Sequence, residues 1–267
     1  LTTTGATLFE DPTSLALPLH LWRSIVAWLG GFMSLAAALA IMEPLNIGGF
    51  EVRSTIQGAR LSGTSAFGGA ASDLRLARVV NVLAPFYCML TACLTLALLS
   101  LGDPGLVAVT HAMAILSTSG ISPIGGLEHA QSGIVGEAVM LVFLATAFTH
   151  HAYPRQSRQY NRRAILMDPE LHLASMLIIG VTGLLFLRHF VGASDVGAEN
   201  NVTAALIALW GNLFTAASFL TTTGFASGSW DSAQSWSGLE TSGLVLLALS
   251  IIGGGIATTA GGIKLFR

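Results

Sequence analysis

Three short stretches share one composition: TTTGAT (2–7), STSGIS (117–122) and TTTGFAS (221–227). Each offers hydroxyls, main-chain carbonyls and a glycine, whose tolerance of positive φ lets successive carbonyls turn toward one axis. None contains an acidic residue. Neutral oxygens of this kind suit a weakly hydrated monovalent cation better than Ca²⁺ or Mg²⁺, whose sites usually recruit carboxylates. The candidate ligands are the backbone carbonyls of Thr4, Gly5, Ser119, Gly120, Thr223 and Gly224, with Thr3, Thr118 and Thr222 completing the loops. Ordinary turn chemistry between hydrophobic helices would account for any one of these loops. Their glycines, however, recur at intervals of 115 (5 to 120) and 104 (120 to 224) residues, which marks a repeat.

The loops must be positioned by membrane elements. The 267 residues are 52% hydrophobic and only 10% charged, with mean hydropathy +0.70, whereas an ordinary soluble domain carries about 25% charged residues. A net charge of −2 and the lack of any basic face or tail exclude a nucleic-acid partner and leave the lipid bilayer as the surrounding phase. Cys88 and Cys93 lie in one apolar run and are expected as small buried hydrophobes rather than a disulfide or metal pair. The first residues lack the pattern of a cleavable signal, and the missing initiator methionine suggests a fragment.

Five segments have the length and flanks of membrane spans: 17–42, 79–101, 133–152, 171–191 and 239–263. Two further apolar segments, 105–116 and 202–220, are read as re-entrant, because charge placement decides against crossing. Arginines cluster in 43–78 (Arg53, Arg60, Arg75, Arg78) and in 153–170 (Arg155, Arg158, Arg162, Arg163), which makes both loops cytoplasmic. If 105–116 and 202–220 dip in from the outside and return, ten of the 12 basic residues fall inside. Arg23 and Arg188 then lie near outer ends of spans, where long side chains snorkel, and Arg23 is favoured as an interfacial anchor over a source of local positive potential.

A helix that ends inside the membrane turns its carbonyl-rich, negative end toward whatever occupies the centre, and this favours a cation. Non-helical backbone at that depth must be buried in protein or line a water-filled cavity. A second unusual stretch is GGGIATTAGGIK (253–264). Gly253, Gly254 and Gly255 each cost about 1 kcal/mol of helix stability relative to Ala, and Gly261 and Gly262 add to this, so the span should unwind here. Thr258 and Thr259 would then face a pore below the loops. Close helix packing through small residues is the competing reading. No G-x-x-x-x-G-K-[ST] match occurs, so a nucleotide-binding loop is unsupported. His111 is expected to make a structural hydrogen bond rather than relay protons, and His150 and His151 to pack at the interface. No acidic residue is expected to pair at membrane depth. Asn201-Val-Thr203 matches a glycosylation sequon of a kind common by chance.

These residues carry a family resemblance. TTTGAT followed by LWRSIVAWLGG, HAMAILSTSGIS, and TTTGFASGSW with IGGGIATTAGGIKLFR resemble successive repeats of the Trk/Ktr/HKT superfamily of potassium transporters. The resemblance implies an all-α membrane protein, built of repeated units of helix, re-entrant pore helix with filter loop, and helix, arranged pseudo-symmetrically around an ion pore. Its filter glycines would be Gly5, Gly120 and Gly224, and 253–262 an intramembrane gating loop. A glycine at position 5 is what the resemblance associates with potassium preference. STSGISP departs from the commoner Gly-Phe pair at its second loop.

On this reading residues 1–78 close repeat one, 79–170 form repeat two and 171–267 form repeat three, with repeat four absent and the chain truncated at both ends. The resemblance further implies potassium as the transported ligand and no cofactor bound by the chain. It also implies a cytoplasmic nucleotide-binding regulatory subunit, a homodimer when full length, and a multi-pass place in the inner (plasma) membrane. A secondary transporter for another monovalent cation or small solute is the alternative. It predicts inverted repeats and a substrate-binding side chain at midplane. A membrane enzyme would need paired carboxylates, a metal cluster or an activated nucleophile, and none is evident.

Overall fold

The computed structural model describes residues 12–42, 69–149, 152–153, 168–192, 202–238, 242–256 and 258–265. Helix α1 (Leu17–Ala37) carries Pro18 in its first turn, where a missing N–H is harmless, and continues as a π turn over Ala38–Met42. Then follow α2 (Gly69–Ser100), α3 (Gly105–Ser117), α4 (Gly133–Leu144, extended by a 3₁₀ turn over Ala145–Ala147) and α5 (Pro169–Gly192). The chain closes with α6 (Val202–Leu220), α7 (Trp230–Ser237) and α8 (Ser242–Ile252). Among the described residues no strand occurs.

Of the five expected spans, 17–42, 79–101 and 171–191 hold helices of spanning length, whereas 133–152 and 239–263 hold the shorter α4 and α8. Helix α2 starts at Gly69, inside the segment expected as cytoplasmic loop. Helix α7 lies in the polar outer loop, where no helix was expected. Among the described residues four helices are long and apolar enough to cross a membrane, α6 among them. Its path shows that it does not simply cross. Beyond Leu220 the chain doubles back along it: Phe225 N–H donates to Ser218 Oγ (2.8 Å), Ser227 N–H to Thr215 Oγ1 (3.1 Å), and a Cβ on Gly211 would come within 2.8 Å of the Ser229 carbonyl. Helix α3 behaves alike, with Ser119 N–H bonding the Ala114 carbonyl at 2.9 Å and Ser122 Oγ reaching His111 Nε2 at 2.9 Å. At 13 residues it measures about 20 Å, short of the roughly 30 Å hydrocarbon core. Two units of helix, dipping helix and helix thus stand side by side, α2-α3-α4 and α5-α6-α8, and α1 packs on α3.

The burial pattern inverts that of a soluble protein. Trp22, Leu96, Val142, Met176 and Leu244 are exposed, while Ser117, Thr118, Thr221, Asn212 and Glu137 are buried. A hydrocarbon phase accommodates the first set, and close contact between helices holds the second. Cys88 and Cys93 are exposed on α2, contrary to expectation. The buried stripe of that helix runs Leu83, Tyr87, Thr91, Leu94, Leu98, and both cysteines fall off its helical period.

Helix α1 reaches α3 through a glycine. A Cβ at Gly31 would lie 2.8 Å from Ser117 Cβ and 2.9 Å from Ser117 Cα, so the backbones meet with no room for a side chain. Gly31→Val should therefore cost about 1–3 kcal/mol of stability by overpacking. A lower apparent melting temperature in detergent is the expected result, and an unchanged one would show that α1 does not seat on α3.

Candidate filter loops and the intramembrane loop

The segments after α3 and α6 have one geometry. Thr118 and Thr222 both adopt left-handed backbone, at φ 52° and 60°, and Gly120 and Gly224 follow at φ 64° and 84°. Ser119 N–H bonds the Ala114 carbonyl and Thr223 N–H the Ser218 carbonyl, each at 2.9 Å. One residue before each left-handed threonine, a hydroxyl meets its counterpart two positions on: Ser117 Oγ with Ser119 Oγ at 3.0 Å, and Thr221 Oγ1 with Thr223 Oγ1 at 2.9 Å. These hydroxyls are buried and also bond carbonyls one turn back in their own helices. The repeated Thr/Ser-x-Thr/Ser-Gly pattern is therefore a scaffold that pins the loop from behind.

The amides of Thr118, Ser119, Thr222, Thr223 and Gly224 all have carbonyl partners. The carbonyls of 118–120 and 222–224 accept no hydrogen bond among the described residues. Thr118, Ser119 and Thr223 are buried, Gly120 and Thr222 partly so and Gly224 exposed, and the six carbonyls of the two matched loops form a set of oxygens available to a cation. The two loops also touch: a Cβ on Gly120 would lie 2.1 Å from the Thr223 carbonyl oxygen, so a side chain there is excluded by both space and φ. Thr3, Thr4 and Gly5 lie outside the described residues.

On one side of these loops is a cavity of about 380 Å³, lined by Pro12, Arg23, Gly120, Glu128, Gly224 and Asp231 among others. Arg23 thus faces the mouth of the candidate pore. Its guanidinium contributes positive potential there, so the anchor reading gives way to the alternative. The sign is set by position, since α1 turns this side chain inward beside buried Ser24 while Trp22 faces out.

On the other side is the glycine-rich stretch. Helix α8 stops at Ile252, as the glycines imply, and the chain resumes after an excursion. The amides of Ile263 and Lys264 bond the carbonyls of Ile251 and Ile252 at 2.9 Å, an offset of twelve residues where a helix uses four. The excursion is closed at its neck by glycines: a Cβ at Gly253 (φ 77°) would lie 2.2 Å from the Gly261 carbonyl, and one at Gly262 (φ 82°) 2.4 Å from Gly253 Cα. Gly254 and Gly255 pack on the carbonyls of Ala147 and Phe148, and Ile256 N–H bonds buried Glu170 Oε1 at 3.1 Å. Thr258 Oγ1 donates to the Gly255 carbonyl at 2.7 Å within the excursion. Two bonds tie it to the loops above. Thr118 Oγ1 donates to the Thr259 carbonyl (3.0 Å), and Gly261 N–H donates to Thr222 Oγ1 (2.7 Å).

No family model matches the chain. It is 28% identical over 274 residues to the Trk system potassium uptake protein TrkI of Halomonas elongata, with all of this chain and 50% of that protein aligned. TrkH of Vibrio parahaemolyticus and TrkH of Escherichia coli are 27% and 25% identical, again over the whole chain and 52% of each relative. The chain is similar over its whole length to Trk system potassium uptake proteins. Its fold matches the crystal structure of the potassium transporter TrkH from Vibrio parahaemolyticus at TM-score 0.74 and 22% identity, covering 99% of this chain and 50% of that one. The chain spans about half the length of the Trk relatives it matches. The all-α, pseudo-symmetric membrane fold expected from the sequence is therefore the fold found.

Other expectations fare differently. His111 makes its hydrogen bond, to Ser122, and its ring also meets Phe225 edge-on at 5.5 Å. His150 and His151 lie outside the described residues. Sequence reasoning missed Glu137 and Glu170, both buried and both bonded to loop amides. A glutamate inside the apolar run 133–152 was itself the available signal, because an ionisable side chain within a span marks a functional position.

Gly120→Ala tests the loop contact. Strain at this φ together with the Thr223 clash should lower cation flux about tenfold or more without abolishing folding. Flux equal to wild type would show that the two loops do not meet as described.

Proposed function

We propose that the full-length protein carrying this chain takes up potassium across the inner (plasma) membrane through a filter of backbone carbonyls. The observation that carries this reading is the pair of matched loops in which the amides of 118, 119 and 222–224 are bonded while the carbonyls of 118–120 and 222–224, among the described residues, are not. Ser119, Gly120, Thr223 and Gly224 would supply the carbonyl oxygens, with Thr4 and Gly5 supplying those of the first repeat. Neutral carbonyls at the ends of helix dipoles replace the hydration shell of a weakly hydrated ion. The names of the Trk relatives support potassium as that ion.

The excursion 253–262 is the gate on this reading. It stands directly against the loops and is rich in glycines, which change conformation at low cost. A cytoplasmic nucleotide-binding subunit acting on the inner face and a dimer of pore-bearing chains complete the proposal. A carrier with inverted repeats fits less well, since both described loops double back on their helices in the same sense and follow the same order of elements.

Growth of a potassium-import-deficient cell at low potassium, restored by the complete gene, is the expected result. Gly224→Ser in that gene should reduce the potassium-to-sodium uptake ratio. Failure to restore growth, or sodium uptake with no potassium preference, would refute the function. Thr222→Val addresses the gate separately: loss of the bond from Gly261 should raise resting flux about two- to tenfold, as expected from one net hydrogen bond. Unaltered resting flux would show that this bond does not hold the loop closed.

A further inference from the structure

We propose that Glu137 is a positioning residue for the third filter loop, holding its outer end across the boundary between two repeats and thereby setting ion preference. The proposal rests on the filter reading above. Glu137 stands in the first turns of α4, in the second repeat, and is 3% exposed. Both its oxygens accept from the third repeat: Oε1 from Gly228 N–H at 2.6 Å, and Oε2 from Ser227 Oγ–H and Trp210 Nε1–H, each at 2.7 Å. Trp210 belongs to pore helix α6, and Ser227 and Gly228 to the strand climbing away from Gly224. One carboxylate therefore joins three parts: the helix that closes one repeat, the pore helix of the next and the far end of its loop.

Ser218 clamps the lower end of the same loop, accepting from Thr223 N–H and Gly224 N–H at its carbonyl and from Phe225 N–H at its hydroxyl. The carbonyls of Thr223 and Gly224 thus sit on a short span held at both ends. Releasing the upper end lets residues 224–228 relax, and carbonyl spacing is what distinguishes ions of different size. The outer end of the second loop is held within its own repeat, by His111 on Ser122, whereas that of the third loop is held by a carboxylate of the neighbouring repeat.

The chemistry supplies a sharp test. Glutamine has one carbonyl, and either way round its amide group opposes an N–H, of Gly228 or of Trp210. Removing the indole N–H removes that conflict in one orientation: the carbonyl accepts from Gly228 and the amide donates to Ser227 Oγ. In the full-length protein reconstituted in liposomes, Glu137→Gln should lower the potassium-to-sodium flux ratio about tenfold, the weight of one unpaired buried donor. Trp210→Phe added to it should recover most of the loss. A ratio equal to wild type in folded Glu137→Gln, or no recovery in the double variant, overturns the proposal. If Glu137→Gln yields no folded protein, Ser227→Ala, which deletes one of the three donors, should still lower the ratio about threefold, and an unchanged ratio there is equally fatal. Absence of potassium flux in the wild-type protein would instead refute the filter reading itself.

Discussion

Backbone that leaves the helix inside a bilayer has no water to satisfy its amides and carbonyls, and everything distinctive in this chain follows from that constraint. The two filter loops and the excursion after α8 are such backbone. Each is flanked by helices, and many of its amides are satisfied by groups from behind. The hydroxyl pairs Ser117/Ser119 and Thr221/Thr223 occupy space that unsatisfied backbone would otherwise need. What is left over is a matched set of carbonyls, and a membrane protein tolerates these only beside a cation or water.

The same constraint explains where the buried charges lie. Glu137 and Glu170 are costly at membrane depth, yet each accepts hydrogen bonds from loop backbone: Gly228 in one case, Ile256 in the other. A carboxylate accepting N–H and O–H donors is far less costly than one left alone in hydrocarbon. The bonds of Glu137 cross from one repeat to another, and that of Glu170 ties the excursion to α5. The repeats are therefore joined by polar ties as well as by the close contacts of glycines such as Gly31.

The filter loops and the excursion also differ in how firmly they are held. Loops two and three are braced by their own pore helices through Ala114, Ser218, His111 and Thr215. The excursion resumes helical pairing at Ile263, so its ends are fixed while its middle contacts the loops through the hydroxyls of Thr118 and Thr222. Those two threonines occupy equivalent positions in the two repeats, one donating to the excursion and the other accepting from it. Loops braced by their own helices beside a glycine-rich excursion are the arrangement that the proposed gated filter requires.

The sequence by itself determined the membrane class, the two helices that dip and return, and the need for Gly120 and Gly224 at positive φ. These rest on local properties: hydropathy over a span, arginine counts in loops, and the need for glycine where φ is positive. It also showed that the glycine run would break its helix, since each glycine's cost is intrinsic to its position. Only the tertiary structure decided how the pieces meet. The packing of Gly120 on the Thr223 carbonyl, the rejoining of Ile263 to Ile251, the inward turn of Arg23 and the three bonds to Glu137 all join residues from separate elements or repeats. A one-dimensional pattern carries no record of which buried donor a distant carboxylate will meet, because that depends on how neighbouring repeats are set around a common axis.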